Sequence, residues 1–335
     1  MSEAAPTPEP PTPAGAGRLR SRWWMLAGWL ALLALLAVAG WVVQQRWETV
    51  DQAGGLPGLG PSAAAVAVLG GANVVLAWNW RAVIALVGPR LPWRAALWVW
   101  SVSQLSRYTV SFAQVGSRAV LARSYGAPAT AGVLSTLLEL LWMVTVTSAL
   151  VLATIPWWLP VVGDARWLGW AALVPVAGLA AAMARPATAV RAIDWAGRRP
   201  VVARLTPGRL EGVASRVGLS RATIASFAAR YGLNTALRHA AFLTLFAAVG
   251  GDLAADAPTA VGAYALGALA GALAVFAPGG LGVREGLIAL LLGPVLGAGS
   301  ALLLVGVARL LEIVAELAVL GVAQLLRQPA ATEPG

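Results

Sequence analysis

Phe276-Ala277-Pro278-Gly279-Gly280-Leu281-Gly282-Val283-Arg284-Glu285-Gly286, running on into Leu287-Ile288-Ala289-Leu290-Leu291-Leu292, is the stretch that decides the fold. An apolar segment reaches it from Pro258 and a second leaves it, so a glycine-rich break with an adjacent arginine and glutamate sits between two hydrophobic runs. In a bilayer, backbone that is not helical needs protein or a watery cavity to satisfy its N–H and C=O groups. Charge at that depth is costly and is usually paired or functional. The plainer alternative is a short polar turn at the membrane surface.

The rest of the chain supports the membrane reading. It is 59% hydrophobic with mean hydropathy +0.75 and 11% charged, where a soluble domain has about a quarter of its residues charged. Apolar segments of the roughly 20 residues that a membrane helix needs use up the length, and no soluble catalytic domain is expected. All 24 basic residues are Arg, so a phosphate-binding loop of the Gly-Lys-Ser/Thr kind is excluded, and with it an ATPase motor of that type. No cysteine and a single histidine leave no thiolate nucleophile, disulfide or Cys/His metal cluster to propose. No metal and no cofactor is expected. The formal charge of +10 fits cytoplasmic anchoring beside apolar helices better than nucleic acid.

Residues 1–17 are too poor in large apolar groups to fold and read as a disordered cytoplasmic tail. Arg18, Arg20 and Arg22 precede an apolar run over 23–43, a first membrane helix with its start in the cytoplasm. Further apolar runs cover 62–87, 95–112, 127–155, 167–184, 223–249, 258–299 and 301–326, and 328–335 is a second disordered tail. Residues 185–221 carry eight arginines against Asp194 and Glu211, which makes them a cytoplasmic loop. Parity then requires that the region from Arg94 to Tyr125 starts and ends inside, as a hairpin dipping from the cytoplasm. The expected architecture is an all-α polytopic domain over 18–327 with about six full crossings and two re-entrant or broken-helix hairpins. Gly116-Ser117-Arg118 and Gly282-Val283-Arg284 are candidate corresponding positions of an inverted repeat. Gly267 and Gly271 read as a close-packing pair.

Pro278 to Glu285 also resembles the signature of the lysylphosphatidylglycerol synthase transmembrane-region family. Arg107-Tyr108-Thr109-Val110-Ser111-Phe112-Ala113-Gln114-Val115-Gly116-Ser117-Arg118 is similar to that family's other glycine-and-arginine break, and Arg123-Ser124-Tyr125-Gly126-Ala127-Pro128 is similar to the run that usually succeeds that break in the family. Thr109-Val110 stands where a Pro-Gly is often found, and Leu140 where many members have Arg. The resemblance covers about residues 60–326. It implies a relative of the flippase half of the bacterial multiple peptide resistance factor, here without the aminoacyl-transfer domain that bifunctional relatives attach.

Several charges need an explanation of their own. Arg230, Asn234 and Arg238 are spaced by four and share one helix face, with Arg230 placed to snorkel and Arg238 deep in the apolar run. Arg309, Glu312 and Glu316 share a face near the middle of the last run. With Glu139 they make a candidate buried charge network, whose bland reading is a structural ion cluster. His239 reads as a packed residue rather than a proton shuttle. Counting Arg107, Arg118, Arg230, Arg238, Arg284 and Arg309 against Glu139, Glu285, Glu312 and Glu316 leaves +2 at depth, which favours an anion. Candidate lipid-headgroup residues are Arg118, Arg284, Glu285 and Arg238 with Gly279, Gly280 and Gly282, whose N–H groups could form an anion nest.

The function expected is therefore flippase-like: binding and moving an anionic or lipid-linked amphiphile between leaflets of the plasma (inner) membrane, with both termini cytoplasmic. The partner is a membrane phospholipid or lipid-linked substrate. The rival is a membrane component of lipid-linked glycan or aminoacyl-phospholipid synthesis acting with a separate transferase, and a structural scaffold is the third reading. Catalysis by this chain is not expected, since only glutamates are available as acid or base.

Overall fold

The computed structural model describes residues 56–108, 113–165, 220–274 and 277–327. The expected tails 1–17 and 328–335, the expected spans 23–43 and 167–184, and all but the end of the arginine-rich loop 185–221 lie outside the described residues. Within them the chain is wholly helical: α1 (Leu59–Val87), α2 (Trp93–Ser106), α3 (Ala113–Arg123), α4 (Ala129–Ala153), the one-turn α5 (Ile155–Trp158), α6 (Arg221–Ala248), α7 (Leu253–Leu273), α8 (Val283–Leu296) and α9 (Ala298–Leu325). Among the described residues α1, α4 and α7 are long and apolar enough to cross a bilayer. Helices α6 and α9, at 28 residues each, have the length but carry charges.

Helix α2 has 14 residues and α3 has 11. At 1.5 Å per residue they reach about 21 and 16 Å, short of the ~30 Å hydrocarbon core. They pair as a hairpin, and its ends share one side of the molecule. A Cβ on Gly88, just past α1, would lie 2.7 Å from that of Ala131 in the first turn of α4. The chain between them therefore returns to the end it left. Helix α4 then runs to the opposite end, where Thr259 Oγ1 of α7 donates to the Trp157 carbonyl at 3.4 Å.

From that opposite end α7 descends to the glycine break and α8 climbs back beside it. The side chain of Asp252 caps α7 through the N–H groups of Ala254 (2.8 Å) and Ala255 (3.3 Å), so α7 begins five residues before the expected Pro258. The close approach of α7 and α8 rests on missing side chains. A Cβ on Gly267 would meet the Arg284 carbonyl oxygen at 3.0 Å, one on Gly271 the Arg284 Cβ at 3.1 Å, and one on Gly280 the Gly271 Cα at 2.8 Å. Gly279, Gly280 and Gly282 all have φ between 61° and 82°, the left-handed region that side chains resist.

Two apolar cores flank the hairpin tips. One gathers Phe242, Leu245, Phe246, Tyr264, Leu291 and Leu304; the other gathers Trp80, Trp100, Trp142, Phe227 and Tyr231. A polar level lies between them. On α1, Asn73 falls between Leu69 of the first core and Leu76 of the second, and on α6 Arg238 falls between Phe242 and Tyr231.

Candidate functional site

Helix α9 supplies the floor of that polar level. Arg309, Glu312 and Glu316 lie on its buried face, as spacings of three and four require. Glu312 Oε1 accepts from Arg238 Nη1 at 2.7 Å, and its Oε2 accepts from Arg284 Nη1 at 3.0 Å and Arg309 Nη1 at 3.1 Å. Glu316 accepts from Arg107 Nη2 and, at 3.1 Å, from the Tyr108 hydroxyl. Arg107 also lies 3.9 Å from Glu312. The pairing expected within one turn of α9 is thus one spoke of a larger hub.

Each spoke comes from a different element. Arg107 and Tyr108 directly follow α2 at the tip of the first hairpin. Arg284 opens α8 at the tip of the second, and Arg309 Nη2 donates to the Gly279 carbonyl in the break at 2.9 Å. The Tyr108 ring sits against Gly279, 3.3 Å from where a Cβ would be. Two broken hairpins from opposite ends of the molecule therefore meet tip to tip. Arg238 of α6 spans the gap to α1, donating to Asn73 Oδ1 at 2.7 Å. The guanidinium of Arg284 lies over Tyr264, 4.9 Å from the ring centre, and that of Arg309 over Tyr108 at 5.2 Å.

The expected headgroup residues do not all gather here. Arg118 is fully buried elsewhere: it pairs with Glu139, donates from Nε to Ser103 Oγ at 3.0 Å and lies over Trp80 at 5.2 Å. Trp100 Nε1 donates to the other Glu139 oxygen at 3.2 Å. This set ties α3 to α1, α2 and α4, so Glu139 belongs with Arg118 and not with the α9 charges. Arg230 lies over the exposed Trp78 ring at 4.8 Å. His239 Nδ1 faces the Thr235 carbonyl at 2.7 Å and its ring meets Tyr264 edge-on.

Two of the three glycine N–H groups are used internally. Gly280 N–H donates to the Ala277 carbonyl and Gly282 N–H to Glu285 Oε2, at 2.9 and 2.8 Å. Glu285 thus caps the start of α8, and its other oxygen lies 3.6 Å from Arg309 Nε. It does not hold Arg284, which reaches Glu312 instead. Tyr108 and Asn73 join the site without having been singled out for it, and Arg107, counted among the charges at depth but not among the headgroup residues, joins it too. The adjacency of Arg107-Tyr108 to the first break was the available signal; Asn73, on a featureless apolar helix, gave none.

The electrostatics are layered. Glu312 and Glu316 side chains are 4% and 3% exposed, whereas Arg107, Arg238 and Arg284 are 12 to 21% exposed. An incoming group meets the edges of Arg107, Arg238 and Arg284 together with the Glu285 carboxylate, 22% exposed, with Glu312 and Glu316 behind them. A small crevice at this level is lined by the polar Arg284, Glu285 and Arg309 together with Phe242, Tyr264 and Ile288. Such a set can bind an oxyanion through planar two-pronged donors. Among the described residues no group of three or more His, Cys, Asp or Glu is arranged to hold a metal ion.

A family model described as the lysylphosphatidylglycerol synthase TM region matches residues 19–319. No curated protein and no solved structure matches the chain.

Proposed function

The chain belongs to the lysylphosphatidylglycerol synthase transmembrane-region family, a family of membrane domains associated with lipid handling, and from that premise we propose that it is a flippase-like protein that binds an anionic or lipid-linked headgroup and carries it between leaflets. The observation that carries the reading is the meeting of two broken hairpins, from opposite ends of the molecule, at one arginine–glutamate cluster. Each hairpin interrupts half of a path across the bilayer, and their tips share Glu312 and Glu316 through Arg107 and Arg284. A headgroup phosphate competing for Arg284 would loosen the contact between the tips while the lipid tails stay in hydrocarbon. That is the arrangement in which transporter sites sit between broken helices. We assign the protein to the plasma (inner) membrane with about six full crossings and both termini cytoplasmic.

The test is leaflet-resolved transfer of fluorescent phospholipid in liposomes holding the purified protein. Transfer by the native chain and its loss in Arg284→Gln at matched fold are expected. A native chain that moves no lipid above protein-free liposomes refutes the reading. A second reading rests on the family description, which couples the membrane region to a synthase: the chain presents lipid to a separate aminoacyl- or glycosyl-transferase. Cross-linked co-purification of such an enzyme would favour it.

A further inference from the structure

Resting on the transport reading of the α9 hub, we infer that Glu139 is a positioning residue: it fixes the height of the α2–α3 hairpin against α4, and so sets whether Arg107 and Tyr108 at the hairpin tip reach Glu316. Its two oxygens are divided between the two helices of the hairpin. Oε1 accepts from Trp100 Nε1 of α2 at 3.2 Å and Oε2 from Arg118 Nη1 of α3, while Arg118 Nε closes the triangle on Ser103 Oγ of α2 at 3.0 Å. The same face of α4 holds two more anchor points, because Gly132, Ser135 and Glu139 are spaced by three and four. Gly132 takes the α3 backbone, with a Cβ there only 2.7 Å from the Ala119 Cα, and Ser135 Oγ accepts at 3.0 Å from the Trp80 indole that lies against Arg118.

Mooring and tip belong to one rigid piece. On α2, Trp100, Ser103 and Arg107 are again spaced by three and four, and Arg107 keeps helical angles of φ −63° and ψ −22°. Trp100 and Arg107 therefore share a face, about 10 Å apart along the axis. Polar rungs tie α2 to α3: Ser103 to Arg118, Gln104 to Gln114 at 2.8 Å and Ser106 to Ser117 at 2.8 Å. The hairpin thus shifts as a unit. A displacement by the rise of one residue, about 1.5 Å, carries Arg107 and Tyr108 out of hydrogen-bond range of Glu316. Lipid tails are as apolar as the helix surfaces, so hydrophobic contact by itself sets height poorly in a bilayer. A buried ion pair is satisfied at one register only. Gly132 lets α3 come close, and Glu139 decides at which height.

The experiment uses the full chain, which has no cysteine, carrying Leu105→Cys and Leu317→Cys. These side chains pack around the contact of Tyr108 with Ile313, so a short thiol cross-linker reports whether the tip is seated on α9. Glu139→Leu together with Arg118→Met removes both members of the pair and strands no charge, and the thermal midpoint should stay near that of the native chain. Cross-linking should nevertheless fall at least about tenfold, roughly 1.4 kcal/mol of seating, and lipid transfer should fall with it. Trp100→Phe keeps the ion pair and should lower cross-linking about fivefold, the factor for one net hydrogen bond. Native cross-linking in the folded double variant would make the pair a fold element only and overturn the inference, as would transfer that persists after the cross-link is lost. If the double variant does not fold, Trp100→Phe and Glu139→Asp decide, the second keeping the charge on an arm one methylene shorter, and unchanged cross-linking in both overturns the inference. Lost cross-linking beside a native chain that transfers no lipid would instead sink the flippase reading and leave the positioning of the tip by Glu139 standing.

Discussion

Glu312 is the residue on which most of the buried charge depends. Three guanidinium groups from three helices converge on its two oxygens, so removing its charge strands Arg284 and Arg238 and leaves Arg309 with Glu285 alone. Breaking a single buried pair costs about 3–5 kcal/mol. Glu312→Gln should therefore lower stability by at least that much, read as the midpoint of thermal unfolding in detergent. On the sequence alone, replacing Arg309 with Leu together with Glu312→Gln should rescue folding. The hub predicts that it will not, since Arg238 and Arg284 remain uncompensated. Arg118 and Arg230 make the opposite comparison. Arg118 is sealed against Glu139, Ser103 and Trp80, and Arg118→Met should cost about 3–5 kcal/mol through the stranded carboxylate. Arg230→Lys should stay within about 0.5 kcal/mol, as surface changes do.

At the scale of elements, the second hairpin depends on glycine for two separable reasons. Gly280 combines φ of +72° with contact against the α7 backbone at Gly271. Gly282 has φ of +82° but open space around it. Gly282→Ala should thus cost only the left-handed backbone penalty of about 1–2 kcal/mol. Gly280→Ala should cost that and also push α8 from α7, with overpacking adding about 1–3 kcal/mol. Equal unfolding midpoints for the two variants would show that the tight approach of α7 and α8 is not needed. The first hairpin joins close packing to polar bonds: a Cβ on Gly132 of α4 would lie 2.7 Å from the Ala119 Cα of α3, and the Arg118–Glu139 pair and the indoles of Trp80 and Trp100 hold the same helices.

For the whole molecule, the decisive relation is which ends of the helices share a side. The end of α1 touches the start of α4 at Gly88 and Ala131. The chain has no cysteine, so Gly88→Cys with Ala131→Cys gives a clean test. After oxidation, fragments from a cleavage engineered near residue 111 should stay joined until reduced. Two separate fragments would mean that the α2–α3 segment crosses instead of returning. Membrane sidedness is checked by single cysteines at Gly208 and Asp256, expected to label from the cytoplasm and from outside respectively. Labelling of both from one side would refute the opposed insertion of the hairpins in the membrane.

Composition and apolar run length settled the class of this protein, because a chain with so few charges over so many apolar segments has no other way to bury its backbone polar groups. Local chemistry also marked the second break and the start of α8 at Val283, since glycine runs and capping glutamates act within a turn. The partners of the charges were beyond its reach. Arg118 and Arg284 end similar motifs, yet one is locked to Glu139 and the other to Glu312. Ion pairs between Arg107 and Glu316, 209 positions apart, depend on how hairpins from opposite ends stack on α9, and no periodicity within a segment encodes that. The separation of Arg118, Glu139 and Arg230 from the α9 charges is likewise a property of tertiary packing, because only the packing decides which charges share a low-dielectric volume.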